Sequence, residues 1–227
     1  MRRARQTVLA CACLCALPLS SASAQAVVEE RGRFELAAGP MWTGRESFAS
    51  NDATETAPAG GRSRLFSTSA VLASAPGVEA RAGVRLTRRL QVEFSSTYGR
   101  PPLRTTITGD IENAPTLTVG EPVRQFTFDG AVVLQLPRWR IGTRTLPFVS
   151  AGAGYLRQLH EGETLSAAGR TYHIGGGVKL LLKSRATGMK ALGLRGDVRA
   201  LIRSKGVAFD TDAHVSPVVA ASLFVRF

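Results

Sequence analysis

The stretch "SPVVAASLFVRF", Ser216–Phe227, alternates its side chains along its whole length. Successive side chains of a β-strand point to opposite sides of the sheet. One face of an extended chain here carries Val219, Ala221, Leu223, Val225 and Phe227. Terminal residues are usually polar and loosely held. The pattern instead predicts that this segment is a strand within a larger sheet.

The same period-two alternation recurs in seven earlier segments, which predicts eight strands in all. The other seven are residues 33–43, 77–87, 89–98, 124–136, 146–159, 171–183 and 192–203. Each is long enough to supply the ~9–11 residues that a strand needs to cross a bilayer. In the fifth segment the facing is ambiguous, and we favour Val149, Ala151, Ala153 and Tyr155 as the apolar set. The fold class predicted is all-β: an eight-stranded antiparallel up-and-down transmembrane β-barrel.

The links between these segments alternate between long and short. The long links are residues 44–76, 99–123, 158–170 and 204–214. Short turns at one end and long loops at the other are typical of an outer-membrane barrel. Part of residues 103–121 is expected to extend the third and fourth strands as a hairpin above the membrane. The strand-like residues 64–74 leave the start of the second strand open, because Pro76 and Gly77 interrupt the pattern.

Alternation alone does not decide which face points outward, and a soluble barrel with an apolar interior is the alternative. Charges of both signs on the polar face favour an ionic interior, because such charges can pair across a narrow lumen. These lumen candidates are Glu35, Glu79, Arg81, Arg85, Glu93, Asp129, Lys179, Arg195, Asp197, Arg199 and Arg203. An excess of positive charge is expected among them, which water or a small anion could occupy. Aromatic residues near strand ends on the apolar face predict an interfacial girdle: Phe34, Trp42, Tyr98, Phe126 and Tyr172, with Phe227.

The first 24 residues have the features of a cleaved secretory signal. A positive start with Arg2 and Arg3 precedes a short apolar core, and Ala22 and Ala24 fit the small-residue cleavage pattern. An uncleaved anchor is the alternative. Residues 25–32 are a lead-in, and residues 33–227 form the barrel domain. Because all three cysteines lie within residues 11–15, the mature chain is expected to contain no disulfide.

Residues 33–227 resemble the small bacterial outer-membrane β-barrel proteins with eight strands. The resemblance rests on the signal, the alternating strands and the closing "SLFVRF", in which Leu223, Val225 and Phe227 look like the family's assembly signal. It implies a location in the cell outer membrane and recognition by the outer-membrane insertion machinery. It also implies contact with outer-membrane lipid and lipopolysaccharide, and periplasmic termini of the mature chain.

The sequence offers little catalytic chemistry. The net charge of +12 is scattered, without a basic helix or stripe, so no nucleic acid is expected as a partner. His160, His173 and His214 are interpreted as loop or rim residues, too dispersed for a metal site. We therefore predict no catalytic residue, cofactor or metal, and a structural or surface-interaction protein whose loop ligand is unknown. A lipid-modifying enzyme and a narrow channel are the alternatives.

Overall fold

The computed structural model describes residues 32–56, 60–109, 115–160, 165–184, 188–205 and 213–227. The predicted signal at residues 1–24 lies outside the described residues. The strands are β1 Phe34–Thr43, β2 Glu46–Thr56, β3 Arg62–Leu72, β4 Ala75–Arg85, β5 Leu90–Gly99, β6 Pro102–Thr108, β7 Leu117–Pro122, β8 Arg124–Gln135, β9 Thr145–His160, β10 Leu165–Ser184, β11 Ala191–Lys205 and β12 Ala213–Arg226. A single 3₁₀ turn, Pro137–Trp139, lies between β8 and β9. No helix among these residues is long and apolar enough to span a membrane.

Eight of the strands close into an antiparallel barrel in the order β1-β12-β11-β10-β9-β8-β5-β4. The closure joins β1 to both β4 and β12, with Trp42 opposite Pro76 on one side and Val219 on the other. Closure removes the unpaired sheet edges that a lipid environment does not tolerate. The predicted fold class is confirmed, and the eight alternating segments are the eight barrel strands.

The remaining four strands form a second sheet in the order β2-β3-β6-β7. The hairpin expected within residues 103–121 is present as β6 and β7, but it pairs with β3 and does not continue the barrel strands. Residues 46–56 were expected to be part of a loop, and that expectation is wrong, because they pair with β3 as β2. We call the end of the barrel that leads into this sheet the outer end, and the opposite end the inner end.

Two side-chain contacts among the described residues connect the second sheet to the outer end of the barrel. Phe48 of β2 packs edge-on against His214 of β12, with ring centroids 5.1 Å apart. Glu46 of β2 lies 2.6 Å from Arg203 of β11, and both side chains are buried. Apolar residues at the base of the sheet form a small core of Ala70, Leu72, Leu103 and Val123. The sheet is therefore packed against the barrel rim.

The outer wall of the barrel is apolar and the interior is polar. Large exposed side chains on the wall include Leu36, Val78, Phe94, Val132, Ile174, Leu194, Val198 and Leu223. The facing favoured for the fifth predicted strand is confirmed, because Val149, Ala151, Ala153 and Tyr155 of β9 are all exposed. This arrangement is the reverse of a soluble ligand-binding barrel.

Candidate functional site

The predicted lumen residues lie inside the barrel. All are buried except Arg85, which is half-buried near the inner end. Counting every buried charged side chain of the described residues gives six acidic and six basic groups. These are Glu35, Glu46, Glu79, Glu93, Asp129 and Asp197 with Arg81, Lys179, Arg195, Arg199, Arg203 and Arg226. The expected excess of positive charge is confined to the half-buried Arg85, because among the fully buried groups Glu46 of the second sheet offsets Arg226, and neither of these two was predicted.

Near the inner end, Glu35 of β1 is held by one cation from the neighbouring strand β12 and one from β10 across the lumen. Lys179 Nζ of β10 donates to its Oε1 at 2.5 Å, and Arg226 Nε of β12 donates to its Oε2 at 2.6 Å. Gln91 Nε2 also donates to Glu35 at 3.2 Å. Hydrogen bonds to charged groups are stronger than neutral ones. The contacts tie β1, β5, β10 and β12 together across the lumen.

The middle of the lumen contains a continuous network of ion pairs. Arg81 Nη2 of β4 donates to Glu79 at 2.7 Å and to Asp197 of β11 at 3.0 Å. Arg199 Nη2 donates to the same Glu79 at 2.9 Å. Arg195 Nη1 donates to Glu93 of β5 at 2.6 Å. Each carboxylate thus faces at least one guanidinium, as burial of charge requires.

Two aromatic side chains that were not predicted to be lumen residues also face the lumen. Arg195 lies over the ring of Phe148 at 4.4 Å from its centroid, and Arg226 lies over Phe224 at 5.1 Å. Cations over aromatic faces are attracted by the ring quadrupole. Phe224 and Arg226 are two residues apart on β12, so their side chains point to the same face of the strand. The spacing of Phe224 from Arg226 could therefore have predicted its inward position.

The outer part of the lumen contains Asp129 and His173. Thr171 Oγ1 of β10 donates to Asp129 of β8 at 2.6 Å. His173 is only 6% exposed, so its interpretation as a rim residue is wrong: it lies in phase with Lys179 on the inward face of β10. A cavity of about 20 Å³ adjoins His173 and Asp129, and one of about 10 Å³ lies beside Arg195. Such volumes hold about one water molecule each.

The predicted girdle residues lie on the outer wall. Phe34 and Phe227 are exposed at the inner end, and Trp42 and Tyr172 are exposed toward the outer end. Tyr98 and Phe126 contact each other there with ring centroids 4.9 Å apart. Among the assembly residues, Leu223 and Phe227 are exposed and Val225 is half-buried. The side chain of His160 lies outside the described residues.

No group of three or more metal-ligating side chains occurs in the part of the chain that the structure describes. His214 packs against Phe48 where the second sheet meets the barrel.

Comparison with known proteins identifies the fold. No protein-family model matches the chain, and no curated protein matches it in sequence. Among solved structures, Neisserial surface protein A superposes with a TM-score of 0.52 at 13% identity, covering 86% of this chain and 97% of that protein. The outer membrane protein OprG from Pseudomonas aeruginosa superposes with a TM-score of 0.50 at 10% identity, covering 86% and 95%. The chain has the fold of the small eight-stranded outer-membrane β-barrels.

Proposed function

We propose that this chain is an integral outer-membrane protein whose barrel is a closed anchor for the second sheet. In this proposal the sheet β2-β3-β6-β7 lies outside the cell and presents a rigid surface, and the protein is not a catalyst. The observation that carries the proposal is the set of buried charges inside the barrel and at its outer rim, six acidic and six basic. Eight strands give an interior that side chains can fill.

In this proposal the side chains of the described lumen residues close the path of water through the barrel. Arg81, Glu93 and Arg195 occupy its middle, and the cavity of about 10 Å³ beside them holds about one water. An ion crossing this region would have to break charge-assisted hydrogen bonds of 2.6–3.0 Å. A closed plug therefore fits the geometry better than a narrow channel does.

The geometry also supports a non-enzymatic role over a lipid-modifying enzyme. His173 has an acidic neighbour in Asp129, but it is buried inside the barrel and away from the lipid-facing wall. A nucleophile and its base would need access to an acyl chain at the interface. Mass spectrometry of lipid A from cells with and without the protein tests this, and a changed acyl pattern would favour the enzyme.

Assembly belongs to the same proposal. The exposed Leu223 and Phe227 of the last strand are available to the outer-membrane insertion machinery, and both ends of the mature chain lie in the periplasm. Short turns at the inner end, such as residues 86–89, match the periplasmic side of known barrels.

Conductance in planar bilayers tests the closed lumen. The purified protein is expected to show heat-modifiable migration on gels, which reports a folded barrel, and no steady current steps after insertion. A general porin in the same bilayer is the positive control. Discrete, lasting openings by the heat-modifiable form would contradict the plug.

A further inference from the structure

The inner end of the barrel is surrounded by exposed cations. Arginines lie in the turns at residues 86–89 and 136–144, one arginine directly precedes β1, and a lysine lies near the end of β10. We call these six exposed residues the basic collar: Arg33, Arg88, Arg89, Arg138, Arg144 and Lys183. Five of the six lie outside the strands, so the collar is at the end of the cylinder, beyond most of its lipid-facing wall.

Backbone hydrogen bonds hold the collar in place. The Gln135 N–H of β8 donates to the Arg89 carbonyl at 2.7 Å, and the Leu181 N–H of β10 donates to the Arg144 carbonyl at 2.9 Å. Each bond joins a turn to a neighbouring strand of the closed barrel. The cations are therefore presented from fixed positions on several sides of the barrel end.

The collar is separated from the exposed carboxylates of the protein. Among the described residues, the acidic side chains that are not buried all belong to the second sheet at the outer end: Asp52, Glu55 and Glu121. No collar residue forms an ion pair within the described ranges. The sequence next to the inner end that lies outside those ranges has two acidic and two basic residues, whose formal charges cancel: Glu29, Glu30, Arg31 and Arg185. A solvated surface usually mixes both signs, so a ring of one sign indicates an anionic partner.

The turn at residues 136–144 adds an exposed aromatic ring to the collar. Trp139 directly follows Arg138 in the 3₁₀ turn, and it is 72% exposed, more than any other large apolar side chain of the described residues. An indole presents a flat apolar face and one N–H donor. The C–H face of a sugar ring packs on such a surface, and the neighbouring guanidinium can bind a carboxylate beside it.

The placement of the collar favours a polymer below the membrane over the lipid around the barrel. Lipid contacts a barrel from its wall, and near the inner end that wall exposes the apolar Phe34, Leu182 and Phe227. Arg88 and Arg138 lie beyond the strand ends, in two separate turns. An extended polyanion lying across the end of the cylinder would contact several turns at once, and its weak contacts would reinforce one another.

We infer that the basic collar binds a carboxylate-bearing glycan polymer beneath the outer membrane, of the peptidoglycan type. The free carboxylates of its peptides contact the guanidinium groups, because the planar fork matches carboxylate geometry, and Trp139 packs against a sugar ring. Each exposed ion pair is weak, so the affinity comes from several contacts along one polymer. The inference rests on the proposed outer-membrane location with the inner end in the periplasm, and it adds an attachment to the cell wall to that proposal.

Co-sedimentation with insoluble peptidoglycan sacculi tests the inference, using the folded protein in detergent. The parent protein is expected to pellet with the sacculi. The collar variant replaces four arginines by glutamine: Arg88→Gln/Arg89→Gln/Arg138→Gln/Arg144→Gln. It is expected to bind about tenfold more weakly, because most of the collar charge is lost and the remaining contacts are individually weak.

A matched control removes the same charge from exposed positions at the outer end: Arg62→Gln/Arg64→Gln/Arg100→Gln/Arg104→Gln. The control is expected to bind sacculi within about twofold of the parent, since exposed charges far from the contact are screened. Equal weakening by the collar variant and the control would overturn the inference.

The polymer is varied in the same assay. Sacculi whose carboxylates have been amidated are expected to lose the binding, and chitin, an uncharged polymer of an amino sugar, is expected not to bind. Trp139→Ala is expected to weaken binding to untreated sacculi. Equal binding of amidated sacculi would overturn the inference, and unchanged binding by Trp139→Ala would overturn the sugar contact.

Lipid binding by the collar is a separate outcome of the test. Native mass spectrometry measures the phosphatidylglycerol that the parent and the collar variant retain from a mixed micelle. A collar variant that loses this lipid but binds sacculi as the parent does would overturn the inference in favour of a lipid contact.

Heat-modifiable migration of every preparation separates the two proposals. A folded barrel that does not pellet with sacculi overturns the cell-wall contact alone. A preparation that is soluble without detergent and shows no heat-modifiable form overturns the outer-membrane proposal and this inference with it.

Discussion

Arg81 shows how the interior charges stabilise one another. Its guanidinium contacts Glu79 and Asp197, and it lies 3.8 Å from Glu93, so one cation faces three carboxylates. Removing one partner of a buried charge cluster leaves the others uncompensated in a medium of low dielectric constant. The interior network is therefore expected to be sensitive to single substitutions.

Replacing this cation tests that expectation. The substitution Arg81→Met is expected to lower the free energy of unfolding by about 3–5 kcal/mol, since three buried carboxylates would lose one of the cations that they share. Urea titration in detergent, followed by the heat-modifiable band on gels, measures the change. The control Arg88→Met removes an exposed turn arginine and is expected to stay within about 0.5 kcal/mol. Equal effects of the two substitutions would refute a network held by Arg81.

Gly154 of β9 supports the outer part of the lumen by having no side chain. A Cβ there would lie 2.1 Å from Asp129 Oδ1 and 2.3 Å from the Phe128 carbonyl oxygen. Gly154→Ala is expected to destabilise the barrel by about 1–3 kcal/mol through overpacking. Gly130→Ala is the matched control, because a Cβ at Gly130 meets nothing within 4 Å. The same urea titration compares the two variants, and a Gly154→Ala midpoint equal to that of Gly130→Ala would contradict the predicted crowding.

At the scale of elements, the barrel strands were predictable from sequence because they separate two solvents. Leu36 and Val198 face outward while Glu35 and Asp197 face inward, so apolar and polar residues alternate along the sequence of each barrel strand. The strands of the second sheet lack this alternating pattern. The sequence "ESFASNDATET" of β2 is polar on both faces, so its pairing with β3 leaves no hydrophobic pattern to detect.

The ion pairs were less predictable than the inward direction of the charges. Arg81 and Asp197 are 116 residues apart in sequence, and Lys179 and Glu35 are 144 apart. The stagger between the strands of the closed barrel decides which inward side chains contact each other. The sequence pattern of a single strand gives no information about that stagger. The burial of Glu46 was not predicted, because β2 belongs to the second sheet and its sequence has no alternating pattern that would indicate an inward face.

β6 and β7 lie outside the closed barrel. β5 pairs directly with β8 from Leu90 to Gly99, so the hairpin between them is an insertion. Replacing residues 103–121 with a short Gly-Ser turn is expected to leave heat-modifiable migration intact, at a modest stability cost from losing the contacts of Leu103. Gel migration and circular dichroism of the purified variant check this. Loss of the folded band at all temperatures would mean that the second sheet is needed for closure.

The whole molecule has an apolar outer surface and a polar inner surface on one cylinder. The wall exposes Leu223 and Val219, and the lumen contains Ser222 and Ala220 in alternation with them. Burial of apolar wall in lipid and mutual pairing of the interior charges then act together. Both depend on which set of alternate residues faces the lipid and which faces the lumen.

Spin labels along β12 test the phase most directly. The only cysteines are at positions 11–15, so a chain beginning at residue 25 has none, and single cysteines can be introduced from Val218 to Leu223. After refolding into lipid vesicles, the accessibility of each label to oxygen is measured by electron paramagnetic resonance. The account predicts high accessibility at Val219, Ala221 and Leu223 and low accessibility at the positions between them. The opposite phase, or no alternation at all, would contradict it.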